Sequence, residues 1–322
     1  MTTLVSCRDL VKQFPGPGAL FGRGHPVHAL RGVSFDVLRG ETLAVVGESG
    51  SGKTTLGRCL VRLTHPTAGT VRFNGTDVLT LPPAELRRWR RRAQLVFQDP
   101  GAALNPRMTI GAAIREPLLA HGLATGPESE ERLAAALAEV GLDASHAARW
   151  PHELSGGQKQ RAVIARALIL GPAFLVLDEP VSSLDVSVAA QILNLLADLR
   201  ERHGLTYLLI AHDLRVVRHF ADRVAVMYAG RFVELAPTHA LFDDPRHPYT
   251  AALLSAVPAT EPGARRERIT LGGESPSPLD SPASCPFEPR CPHPQKDARC
   301  RAERPELRTV EPQRLAACHF AE

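Results

Sequence analysis

Lysine is nearly absent from the chain. Among 322 residues only Lys12, Lys53, Lys159 and Lys296 occur, and arginine supplies the remaining formal positive charge. We read this as genome composition. A net charge of +4 is too small to imply a nucleic-acid partner by itself. Long apolar runs are missing too. Phe174–Leu177 and Tyr207–Ala211 are strand-sized, far short of the ~20 residues of a membrane helix. The opening MTTLVSCRDL lacks the basic stretch followed by an apolar one that marks a secretory signal. The chain is therefore expected to stay in the cytoplasm, and other chains must supply any membrane channel that it serves. In that reducing compartment its six cysteines are not expected to form structural disulfides.

What is present suits a core-forming protein, with 44% hydrophobic and 22% charged residues. The length fits one large domain with an appendage, or two modest domains. Val5–Phe14 and Val33–Leu38 read as strands around a Gly- and Pro-rich loop, Pro15–Pro26. Thr42–Val46 is a buried strand, followed by a glycine-rich loop and a helix over Thr54–Leu63. Val71–Phe73 and Leu95–Phe97 are further strands, and Ile110–Leu168 is mostly helical, clearest over Glu130–Val140. Phe174–Leu177 and Leu205–Ala211 are buried strands around an amphipathic helix, Val188–His203. Arg223–Tyr228 and Arg231–Glu234 form a hairpin across Ala229-Gly230. Strands alternating with helices imply an α/β fold with a largely parallel sheet. There is no internal repeat. The arginine run Leu86–Arg92 has one aromatic and reads as a solvated helix face rather than a nucleic-acid patch.

After about Phe242 prolines crowd in, at Pro245, Pro248, Pro258, Pro262, Pro276, Pro278, Pro282, Pro286, Pro289, Pro292 and Pro294. Such a segment is neither one long helix nor a central strand. A domain boundary is expected near Pro245, giving residues 1–244 and 245–322.

Gly47-Glu48-Ser49-Gly50-Ser51-Gly52-Lys53-Thr54 satisfies G-x-x-x-x-G-K-[ST] at every fixed position. The glycines let successive backbone N–H groups face phosphate oxygens, and the following helix adds its positive dipole end. Lys53 reaches the terminal phosphates, the Thr54 hydroxyl is a magnesium ligand, and Thr55 continues the site into the helix. Phe174–Asp178 then delivers Asp178 and Glu179 at a strand's carboxyl end, where open α/β sheets bind ligands. Asp178 is expected to hold magnesium and Glu179 to orient or polarise the attacking water. Phosphoryl transfer needs mainly positioning and charge stabilisation, so this set describes any ATP- or GTP-hydrolysing P-loop protein.

Leu154-Ser155-Gly156-Gly157-Gln158 narrows the reading, because it resembles the signature sequence of ABC ATPases. Other positions match that family in order. Gln98 resembles the Q-loop glutamine, which senses magnesium and the membrane partner. Ser182-Ser183-Leu184-Asp185 resembles the D-loop at the dimer interface, and His212 resembles the switch histidine at the terminal phosphate. Taken alone, His212 is an ordinary strand-end histidine. The resemblance spans roughly residues 4–240. It implies a P-loop α/β fold: a mixed-sheet core, an antiparallel β-subdomain and a helical subdomain near 100–170, with a small C-terminal cysteine-containing extension. It implies ATP and Mg2+ as ligands, with Glu179, His212 and Gln98 catalytic. It further implies that Ser155, Gly156, Gly157 and Gln158 complete the ATP site of an opposite subunit. Phe14 is the adenine-stacking residue, with His28 and Phe21 as fallbacks.

Gln98-Asp99-Pro100, Leu104-Asn105-Pro106-Arg107-Met108-Thr109, His247–Leu254 and Cys285–Pro292 resemble the oligopeptide/dipeptide importer branch, which also includes nickel and other small-solute importers. The implied partners are a sister or identical ATP-binding subunit, two integral-membrane permease subunits and, indirectly, a substrate-binding protein, with no nucleic acid. The implied location is peripheral, on the cytoplasmic face of the inner membrane. A nucleic-acid ABC ATPase typically needs a coiled coil or second ATPase domain, and the chain has one P-loop and no sustained heptads. An assembly module with little hydrolysis sits badly with Lys53, Asp178, Glu179 and His212.

Four cysteines cluster in the tail: Cys285, Cys291, Cys300 and Cys318. Few large apolar residues surround them, so a metal staple would help the segment hold one shape. No close C-x-x-C knuckle of the zinc-ribbon type occurs. In the resembling branch such tails carry a 4Fe-4S cluster. A cluster is the expectation, with zinc or free thiols as alternatives and His293 and His319 as substitute ligands. Cys7 and Cys59 read as inert, buried side chains.

Overall fold

The computed structural model describes residues 2–16, 25–256, 269–273, 279 and 283–321. Phe21, Pro258, Pro262, Pro276, Pro278 and Pro282 lie outside the described residues. The chain opens with β1 (Thr3–Phe14), β2 (Val27–Leu38), β3 (Thr42–Val46), α1 (Lys53–Leu60), β4 (Ala68–Phe73), β5 (Thr76–Asp77), α2 (Pro83–Trp89) and β6 (Ala93–Val96). A helical stretch follows: α3 (Pro100–Ala103), α4 (Ile110–His121), α5 (Gly126–Glu139) and α6 (Gly156–Leu168). Next come β7 (Phe174–Asp178), α7 (Val186–His203), β8 (Thr206–Ile210), α8 (Leu214–Phe220), β9 (Arg223–Tyr228) and β10 (Arg231–Pro237). The last part carries α9 (Thr238–Asp243), α10 (Pro248–Ser255), α11 (Ala298–Ala302), β11 (Arg308–Glu311) and β12 (Arg314–Ala316).

The main sheet has the order β11-β12-β10-β9-β3-β8-β7-β6. It is parallel from β9 to β6 and antiparallel beyond β9. Every residue of β3, β7 and β8 is buried, which explains their continuous apolar composition. A second, antiparallel sheet has the order β2-β1-β4-β5. Helix α1 lies between the two sheets: its Leu56 and Leu60 pack in one core with Leu10 and Phe35 on one side and Val45 and Ile210 on the other. On the opposite face of the main sheet, Leu196 and Leu199 of α7 and Ile164 of α6 share a second core with Leu177, Leu209 and Val226. Ile110, Ile114 and Leu137 extend that core into the helical subdomain. No helix among the described residues is long and apolar enough to cross a membrane.

Several boundaries differ from the sequence expectation. Strand β2 starts at Val27 rather than Val33, because it pairs with β1 back to Phe14↔Val27. Helix α1 ends at Leu60 rather than Leu63, and Arg62 turns the chain with φ +54°. The arginine run falls on and just beyond short α2, where Trp89 is buried and packs edge-on against Phe73. The tail adds β12 to β10 and β11 to β12, so the last residues extend the main sheet.

Candidate functional site

The phosphate loop joins β3 to α1. Gly47 has φ +150° and a Cβ there would meet Met227 O at 2.1 Å; Gly52, with φ +109°, would meet Ala29 O at 2.4 Å. Neither backbone neighbour can give way, so glycine is required at both. Lys53 is buried and its Nζ donates to Gly47 O at 2.8 Å and Glu48 O at 2.9 Å. Burial lowers its pKa, and Glu179, Asp178 and Glu48 oppose that shift. Ser51 Oγ is buried and has no hydrogen-bond partner among the described residues. The loop therefore presents a cation and an unsatisfied hydroxyl inside a tight backbone cradle.

The end of β7 supplies the carboxylates. Thr54 Oγ1 donates to Asp178 Oδ1 at 3.1 Å, which puts two of the three expected magnesium ligands, Thr54, Asp178 and Gln98, side by side. Burial raises the Asp178 pKa, while Thr54 and Arg58 pull it down. Glu179 follows in the left-handed region, φ +48°, with its N–H bonded to Ile210 O. Its Oε2 accepts from Gln98 Nε2 at 2.8 Å and lies 3.2 Å from His212 Nδ1. The three expected catalytic side chains thus meet at one oxygen, although they come from the ends of three different strands. Beside them, a groove of about 570 Å3 runs between α7 and α8, lined by Glu179, Leu184, Val186 and His212.

The signature loop is elsewhere. Gln158 Nε2 lies 3.1 Å from His146 Nε2, in the helical subdomain. Ser155 caps α6 in a reciprocal box: its Oγ accepts from Gln158 N, and Gln158 Oε1 accepts from Ser155 N. Ser155 and Gly156 are exposed. Asp185, in the D-loop segment, caps α7. Phe14 ends β1 and is 38% exposed, with the Lys12 ammonium 4.7 Å from its ring centre. His28 lies across the β1–β2 ladder, its Nδ1 3.3 Å from Gln13 Nε2.

Sequence reading missed two residues that hold the phosphate loop from the tail side. Tyr249 Oη accepts the Glu48 N–H at 2.8 Å, and Arg290 donates to both Glu48 carboxylate oxygens at 2.9 and 3.0 Å. Glu48 occupies an unconstrained position of its motif, and Arg290 is 242 residues away. Nothing local in the sequence pairs them.

Cys285, Cys291, Cys300 and Cys318 line one cavity together with His293 and His319. Burial raises the thiol pKa of Cys285 to about 11 and pushes those of Cys291 and Cys318 up as well. The cavity measures about 10 Å3, room for one water-sized particle. Among the described residues no group of three or more His, Cys, Asp or Glu is placed to hold a metal ion. The four thiols share a cavity without forming a ready coordination shell among the described residues. His293 stacks on Phe320, and His319 Nε2 lies 3.1 Å from Glu303 O. Cys7 and Cys59 are buried, and burial raises both thiol pKa values, that of Cys59 to about 12.

Residues 30–182 match the ABC transporter family, and residues 233–300 match the oligopeptide/dipeptide transporter C-terminal region. The oligopeptide transport ATP-binding protein AppF of Bacillus subtilis is 49% identical, over 99% of this chain and 97% of its own. The di/tripeptide transport ATP-binding protein DppF of Pseudomonas aeruginosa is 47% identical, over 100% of this chain and 99% of its own. Among solved structures, the dimeric post-hydrolysis state of the ATP-binding cassette MJ0796, bound to ADP and Pi, has TM-score 0.65 and 30% identity, over 73% of this chain and 99% of that one. The chain belongs to the ATP-binding proteins of ABC transporters, in the branch that carries the oligopeptide/dipeptide transporter C-terminal region.

Proposed function

We propose that the chain is the ATP-hydrolysing subunit of an importer for oligopeptides or dipeptides, and that it sandwiches ATP against a second such subunit. The observation that carries this reading is the meeting of Gln98 and His212 at one oxygen of Glu179, beside Asp178 and the phosphate loop. The site's chemistry suits MgATP. The glycine cradle, the Ser51 hydroxyl and Lys53 face phosphate oxygens, with Gly47, Glu48, Ser49, Gly50, Gly52 and Thr55 forming the rest of the wall. Thr54, Asp178 and Gln98 offer hard oxygen ligands for Mg2+, which supplies charge neutralisation at the phosphates.

Lys53 exchanges its bonds to Gly47 O and Glu48 O for the terminal phosphates. Glu179 orients and polarises a water whose oxygen attacks the γ-phosphorus as the bond to the bridging oxygen breaks, giving ADP and phosphate. Gln98 and His212 fix the Glu179 carboxylate, and His212 swings to the terminal phosphate. Ser155, Gly156, Gly157 and Gln158 serve the opposite subunit's ATP through the amino end of α6. Phe14 stacks on adenine. We place the boundary of the ATP-binding domain near Pro245 and the protein at the cytoplasmic face of the inner membrane, with two permease subunits and a substrate-binding protein as partners.

The test compares hydrolysis by the wild type and Glu179→Gln, each alone and reconstituted with its permease partners. The expected result is wild-type activity that rises with the partners. The variant should bind MgATP and dimerise, and its turnover should fall roughly 100-fold or more. Stimulation by nucleic acid, with no response to the permeases, would overturn the transport reading.

The tail's donor set of four thiols suits an iron–sulfur cluster or zinc rather than Mg2+, and we propose that it binds one of these. Anaerobically purified protein should then contain iron with a broad visible absorption band, or stoichiometric zinc. Finding neither metal rejects the proposal.

A further inference from the structure

Glu48 stands inside the phosphate loop, and each of its polar groups is held. Its carbonyl accepts from Lys53 Nζ at 2.9 Å. Its N–H donates to Tyr249 Oη at 2.8 Å. Both carboxylate oxygens accept from Arg290, at 2.9 and 3.0 Å, in the two-pronged geometry that makes guanidinium–carboxylate pairs directional. The Arg290 side chain is 9% exposed and that of Glu48 29%, so the pair is only partly open to solvent screening. Tyr228 Oη also accepts from Arg290, at 3.4 Å. Behind the clamp, the rings of Tyr228, Tyr249 and Phe287 pack mutually, with centroids 4.6 to 5.5 Å apart. All three side chains are fully buried.

The cysteine tail sets the other end of this clamp. Arg290 closes a 3-10 turn, Glu288–Arg290, bracketed by Cys285 and Cys291. Glu288 N donates to Cys285 O, Cys291 N to Glu288 O, and Cys285 N to Cys300 O. The turn that aims Arg290 at the phosphate loop is thus bonded directly to the backbone of two tail cysteines, Cys285 and Cys291, and through Cys285 to a third, Cys300.

We propose that the tail is a positioning element of the ATP site: Arg290 and Tyr249 hold Glu48 so that the phosphate loop keeps its binding shape, and the cysteine cavity is coupled to ATP affinity through Arg290. This rests on the ATP-binding reading above. The phosphate-loop motif leaves Glu48 free to be any residue, so the motif itself does not call for this contact. Arg290 touches no reacting atom in this scheme, and its effect belongs to binding more than to turnover.

The test uses the full-length protein and MgATP. Binding and steady-state hydrolysis are measured for the wild type, Arg290→Gln, Arg290→Lys, Glu48→Gln and the double variant Arg290→Gln/Glu48→Gln. Each glutamine variant should raise the Kd and KM for MgATP by roughly 10-fold, with a smaller change in kcat. The double variant should be no worse than either single one, because the pair acts as a unit. Arg290→Lys, which keeps the charge but not the fork, should recover part of the affinity. Cys285→Ser/Cys291→Ser should raise the KM in the wild-type background and do little more in the Arg290→Gln background. Wild-type MgATP affinity in folded Arg290→Gln and Glu48→Gln, or additive effects in the double variant, overturns the proposal while the ATP reading stands. If Arg290→Gln does not fold, Glu48→Gln removes the same pair from the loop side and decides alone. A wild type that binds no MgATP refutes the ATP reading instead.

Discussion

At Gly52 the backbone turns from the phosphate loop into α1 with φ +109°, and the start of β2 leaves no room for a Cβ. Gly52→Ala must shift Ala29's carbonyl or the loop itself. A non-glycine residue in such backbone costs about 1–3 kcal/mol. We expect a comparable loss of stability and a loss of MgADP binding, read by thermal unfolding and calorimetry; an unchanged affinity would show that the loop relaxes without harm. Glu179 illustrates the opposite case. Its φ of +48° is strained for a residue with a side chain, yet the Ile210 carbonyl and the Gln98 and His212 side chains hold it there. Sequence could mark the carboxylate but not the strained backbone that aims it.

At the scale of elements, legibility followed local physics. Strands β3, β7 and β8 are buried on both faces and so appear as unbroken apolar runs. The start of α6 is written in Ser155 and Gln158, the two ends of its capping box. The first half of β2 was not legible. It includes His28, Arg31 and Gly32 and follows a Gly- and Pro-rich stretch, and only pairing with β1 makes it a strand. Strands β11 and β12 were missed for a related reason. Arg308–Glu311 is polar and only partly buried, and it becomes a strand by pairing with β12, which in turn pairs with β10. Edge pairing is decided by a distant neighbour, so no local pattern announces it.

Over the whole molecule, one apolar residue faces outward where a second subunit is proposed to sit. Val186, the first residue of α7, is 84% exposed just after Ser182–Asp185. Val186→Asp should leave the stability of the single chain within about 0.5 kcal/mol, since it is a surface change and an acid is tolerated at a helix start. In the Glu179→Gln background it should weaken the ATP-dependent dimer, measured by sedimentation; undiminished dimerisation would place the interface elsewhere. The sequence by itself determined the motif order, the alternation of buried strands and helices, and hence the family and the residue types at the ATP site, because these depend on short-range pattern. Only the tertiary structure decided that Gln98, Glu179 and His212 share one oxygen, that the four tail thiols face one cavity, and that Arg290 reaches back to Glu48. The hydrogen bonds among them join residues 33 to 242 positions apart, and their pairing is set by the packing of sheets and tail rather than by any local preference of the chain.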